Sequence, residues 1–90
     1  MTTKMEISVD ISLYPLKGEY EVAILDFIAA LEKEELVEVV RNELSTQVHG
    51  EYHTIMRLLE QEILSVFKEI PHSVFVIKLV GNNRRGLYGI

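Results

Sequence analysis

Polar side chains recur at every second position in two stretches of this chain. Ser8, Asp10 and Ser12 make one run, and Ser45, Gln47 and His49 make the other. Hydroxyl, amide and carboxylate groups carried on one face of a strand can hydrogen-bond a small polar molecule. Val74, Val76 and Lys78 repeat with the same period and add an apolar strip. Such a strip beside a polar cluster suits a small ligand with a hydrophobic edge, or an oligomer interface.

Other chemistries fit these residues poorly. A relay of Ser45, His49 and Asp10 can be drawn, but no nucleophile elbow or oxyanion-loop sequence accompanies it. His49 and His53 are four residues apart, yet Gly50 and the expected strand end intervene, so they do not share the one helical face a zinc-type pair requires. His72 follows Pro71 in a loop, and no metal is expected. Gly50, Gly81, Gly86 and Gly89 match neither phosphate-loop nor dinucleotide spacing, so no cofactor is expected. The absence of cysteine removes disulfides, thiolate ligands and a cysteine nucleophile.

The elements that must hold the polar runs can be read from hydrophobic period. Ile7, Val9, Ile11 and Leu13 alternate with the first run, which is a strand with one buried face, and Pro15 ends it. Tyr20, Ile24, Phe27, Ile28 and Leu31 then fall on a helical stripe, and the spacing predicts a helix over Glu19 to Glu34. The β-branched stretch Leu36 to Asn42 and the alternating run Leu44 to His49 predict a hairpin turning near Asn42 and Glu43. A second helix runs from Glu51 to Ile70, with Tyr52, Ile55, Met56, Leu59, Ile63, Val66, Phe67 and Ile70 on its apolar side. Pro71 stops it, and Ser73 to Val80 is the last strand.

The order βαββαβ predicts an α+β, ferredoxin-like domain: a four-stranded antiparallel sheet with two helices on one face. Its first and third strands should be the central pair. A weak repeat supports it, since Gly18-Glu19-Tyr20 and Gly50-Glu51-Tyr52 each open a helix at an offset of 32 residues.

Ninety residues allow one domain, expected over 1–80, with a short basic tail over 81–90. Nine Lys and Arg against 14 Asp and Glu give a net charge of −5, which argues against a nucleic-acid partner. Residues 71–90 carry +3 and the first 70 carry −8. No uncharged stretch reaches the ~18 to 20 residues of a membrane span. The N-terminus lacks the pattern of a signal peptide, so a cytoplasmic protein with no membrane partner is expected.

Two segments carry a family resemblance. Ile11-Ser12-Leu13-Tyr14-Pro15-Leu16 and the run Asn42-Glu43-Leu44-Ser45-Thr46-Gln47-Val48-His49-Gly50-Glu51-Tyr52 resemble the thiamine- and hydroxymethylpyrimidine-binding family of Ykof type, over about residues 6 to 80. The resemblance implies the same fold, assembly through sheets as a homodimer or homotetramer, and binding of thiamine or its pyrimidine precursor without catalysis. An aminopyrimidine needs hydroxyl and amide partners and a stacking surface. Ser12, Ser45, Thr46, Gln47 and Asn42 can supply the first, Tyr14 the second, and Asp10 suits the thiazolium cation of thiamine. Plainer roles stay open: Tyr14 can cap its strand, Thr46 by parity can face the helices, and Asn42 can be an ordinary turn residue. An oligomeric regulatory module for another small metabolite is the alternative function.

Overall fold

Strict alternation makes the first strand the spine of the molecule. In a computed structural model that describes residues 5–16, 18 and 20–84, with backbone alone at Tyr20, the order is β1 (Glu6–Pro15), α1 (Tyr20–Glu32), β2 (Glu38–Arg41), β3 (Thr46–Glu51), α2 (Tyr52–Glu69) and β4 (Ser73–Val80). The sheet order is β2-β3-β1-β4 and every neighbouring pair is antiparallel. This is the ferredoxin-like α+β arrangement, with β1 and β3 central as the crossovers require.

Ile7, Val9, Ile11 and Leu13 of β1 are buried with Val48 of β3, Phe27 and Leu31 of α1, and Ile55, Leu58 and Leu59 of α2. Leu58 lies outside the expected apolar stripe of α2, whereas Tyr52 and Phe67, expected within it, are exposed. Among the described residues no helix is long and apolar enough to cross a membrane.

The hairpin differs from its sequence expectation. β2 starts at Glu38 rather than Leu36, and β3 starts at Thr46 rather than Leu44. Asn42 explains the shift, because its Oδ1 accepts the backbone N–H groups of Leu44 at 2.9 Å and Ser45 at 2.8 Å, while its own N–H donates to Ser45 O at 3.0 Å. An asparagine that satisfies two amides makes a turn of residues that alternation assigns to a strand. β3 also continues through Gly50 to Glu51.

Glu51 joins strand to helix. Its carboxylate caps α2 by accepting from His53 N at 2.9 Å and Thr54 N at 3.1 Å, with the Thr54 hydroxyl at 3.1 Å. These bonds, that from His53 foremost, hold its carboxyl below the usual glutamate range. The matching Glu19 of the first copy of the repeat lies outside the described residues, as does the tail beyond Arg84.

Two residues expected on an open face are covered. Ser8 and His49 are 5% and 4% exposed, because they bond to one another and the Arg84 backbone N–H donates to Ser8 Oγ at 2.7 Å. The segment after β4 thus lies over this end of β1.

Candidate ligand-binding site

Pairing of β1 with β3 brings the two polar runs together, with Asp10 opposite Gln47 and Ser8 opposite His49. Much of their hydrogen-bonding capacity is then used internally. Ser45 Oγ donates to Asp10 Oδ1 at 2.5 Å, and Ser12 Oγ donates to the Leu44 carbonyl at 3.4 Å. Asp10 and Ser12 therefore brace the Asn42–Ser45 turn against β1. No Ser45–His49–Asp10 relay forms: Asp10 binds Ser45, while Ser8 binds His49 at 2.7 Å.

The braced turn separates two concavities at one end of the sheet. The more enclosed is a cavity of about 450 Å³ on the helix side, between the end of β1, α1 and the turn. Ile11, Leu13, Ile24, Phe27 and Ile28 give it apolar walls, and Glu43 is its one charged lining residue among the described residues. The other, of about 750 Å³ and more open, lies on the helix-free face beside Asp10, Val76 and Lys78.

Each expected site residue has a definite place. Ser12, Tyr14, Asn42 and Ser45 line both concavities. Thr46 lines only the enclosed one; it pairs with Ile11, faces the helices and is 5% exposed. Asp10 lines only the open one, and Gln47 lines neither, its Oε1 lying 3.3 Å from His49 Nε2. Tyr14 is half exposed at the shared rim.

Sequence reasoning missed the apolar walls. Ile24, Phe27 and Ile28 read as an ordinary core stripe, since periodicity does not distinguish a wall that meets a neighbour from one that meets a void. Leu16 and Leu44 line the cavity and are 67% and 89% exposed. Large apolar residues in a turn and just past a strand were the available signal, because neither position has a core to fill. Among the described residues no three His, Cys, Asp or Glu side chains are grouped to hold a metal ion.

Solved structures share this architecture. A protein of Streptococcus pneumoniae is 25% identical, with 92% of this chain and 93% of that chain covered at a TM-score of 0.78. A Thermotoga maritima protein provisionally assigned to thiamine biosynthesis or salvage is 16% identical over 83% and 82%, at a TM-score of 0.75. A protein of Methanocaldococcus jannascii is 20% identical over 82% and 77%, at a TM-score of 0.72. Comparison with curated proteins by sequence finds no match. The model of the YKOF-related family matches residues 6–83, nearly the whole described chain, and the protein belongs to that family.

Proposed function

We propose that the protein binds thiamine or its hydroxymethylpyrimidine precursor without catalysing a reaction, and serves thiamine uptake, salvage or homeostasis. The observation that carries this reading is the cavity of about 450 Å³ between α1 and the end of β1. Its volume falls in the range of small-molecule sites, and its aliphatic and aromatic walls suit a flat ring. Thr46 is among the lining residues, and so are Ser12, Asn42 and Ser45, which also border the open face. Glu43 at the lining and a chain net charge of −5 favour a cationic or neutral ring over an anion. Family membership and the fold shared with a protein provisionally placed in thiamine biosynthesis or salvage support the same ligand class.

The protein works in this reading as a homo-oligomer assembled through its sheet. Support comes from the exposed Val74 and Val76 on the helix-free face.

Isothermal titration with thiamine, hydroxymethylpyrimidine and thiamine diphosphate, with a parallel search for products, tests the ligand. Heat with thiamine or the pyrimidine and no turnover is expected. Silence with all three would sink the thiamine reading and favour a module for another metabolite.

A further inference from the structure

One wall of the enclosed cavity stands beyond the paired part of the sheet. Pairing of β1 with β3 ends at Ile11 opposite Thr46, and pairing of β2 with β3 ends at Arg41 opposite Thr46. The turn Asn42–Ser45 follows the last paired residue of β2 and precedes that of β3, and all four of its residues line the cavity. Its own bonds, from the Leu44 and Ser45 amides to Asn42 Oδ1 and from the Asn42 amide to Ser45 O, set its local shape but tie it only to itself.

Two side chains of β1 reach the turn. Ser45 Oγ donates to Asp10 Oδ1 at 2.5 Å, whereas Ser12 Oγ donates to the Leu44 carbonyl at 3.4 Å, which is long for a hydroxyl bond. A bond to a carboxylate is stronger than one to a neutral oxygen. Ser45 has one hydroxyl proton, and Asn42 Oδ1, its other acceptor, is 3.5 Å away. The Asp10 bond is therefore the main pin between turn and sheet. Asp10 lines the open concavity and not the enclosed one, while Thr46, next in the chain after Ser45, faces the helices. The pin lies on one face of the sheet and the wall it steadies on the other.

We infer that Asp10 is a positioning residue for the enclosed cavity: through Ser45 it holds the turn in the form that walls the cavity, and it acts as a hydrogen-bond acceptor rather than as a counter-ion for the ligand. This role presupposes that the cavity is the ligand site. Without the pin the turn gains a second state, in which Glu43 and Leu44 leave the cavity, and apparent affinity falls with the fraction of molecules that stay closed. Loss of one charged hydrogen bond suffices for a change on the order of tenfold. Because closed molecules become fewer, every ligand of the cavity is weakened by the same factor. A direct contact between Asp10 and a cation would penalise the cation alone.

Asp10→Ala should weaken thiamine and the uncharged hydroxymethylpyrimidine alike, on the order of tenfold. Asp10→Asn, whose amide oxygen can still accept from Ser45, should bind both nearly as the wild type does. In a Ser45→Ala background Asp10→Ala should add nothing, since the bond is already gone. Amide hydrogen exchange reads the turn without any ligand: Asn42, Leu44 and Ser45 should exchange faster in Asp10→Ala and at the wild-type rate in Asp10→Asn. Weakening of thiamine alone with no rescue by asparagine would make Asp10 a counter-ion and overturn the inference. So would wild-type affinity in Asp10→Ala with a lowered melting temperature, or unchanged exchange in the turn. If Asp10→Ala fails to fold, Ser45→Ala removes the same bond and its exchange rates decide. Absence of heat with both compounds in the wild type would refute the ligand reading, whereas faster exchange confined to the turn in Asp10→Ala would still support the pin.

Discussion

Ser8 Oγ and His49 Nδ1 lie 2.7 Å apart on neighbouring central strands, shielded from water on the face of the sheet that carries no helix. Ser8 Oγ also accepts the Arg84 N–H at 2.7 Å, and the imidazole Nε2 stands 3.3 Å from Gln47 Oε1. The linkage ties β1, β3 and the segment after β4 into one buried polar chain, at the end of β1 remote from the cavity.

Ser8→Ala should therefore lower stability and spare binding. It leaves the Arg84 N–H and the imidazole without their shared partner, which costs ~1 to 3 kcal/mol for a buried group. Urea unfolding reads the loss, and titration with thiamine should give the wild-type dissociation constant. A weakened affinity at unchanged stability would place Ser8 at the ligand.

Thr46 and Gln47 are neighbours in sequence with opposite expected effects. Thr46 lines the cavity beside α1, and Thr46→Val, which keeps its shape, should weaken thiamine by ~1 to 3 kcal/mol through loss of one hydrogen bond at a largely buried position. Gln47→Ala should bind as the wild type does. The reverse order would move the site to the helix-free face.

The cap of α2 sets a pH dependence. Because hydrogen bonds from His53 and Thr54 hold the Glu51 carboxyl below its ordinary range, its contribution is fully present above the ordinary glutamate pKa. That contribution is lost as pH falls through the ordinary value and then the lowered one. Glu51→Gln should be less stable than wild type near neutrality, and the gap should close as pH falls below the ordinary glutamate range. Unfolding curves across that interval decide it, and a constant gap would show that the charge is irrelevant.

Gly50 is packed where a side chain has little room. A Cβ there would stand 3.2 Å from Val37 Cγ1 and 3.4 Å from the Leu36 carbonyl oxygen. Gly50→Ala should cost ~1 to 3 kcal/mol by overpacking β3 against the residues that lead into β2. Thermal unfolding measures it, and an unchanged midpoint would mean that Val37 yields freely.

The long-period features of the fold were legible in the sequence. Alternation located β1 and β4, and the 3.6-residue stripe located α2 to within a residue at each end, because each is decided by which face meets the core. The hairpin was read less well, since the side chain of Asn42 competes with strand pairing and alternation continues through a turn. The strip of Val74 and Val76 was legible, but the exposure of Ile77 and Leu79 was not, because both have the parity of core residues. Parity does place Thr46 toward the helices. It does not reveal that α1 leaves a void there, which depends on distances between elements far apart in sequence.

The enclosed cavity is bounded by three separate segments: the end of β1, the inner side of α1 and the turn after β2. None of them encloses anything when the chain is unfolded, so whatever fills the cavity binds the native state alone. Occupancy is then linked to folding, and a ligand at about a hundred times its dissociation constant adds ~2.7 kcal/mol to the native state. For a domain of this size that is a large fraction of the whole stability, so proteolytic lifetime would track ligand supply. The amount of folded protein would itself record how much ligand the cell holds.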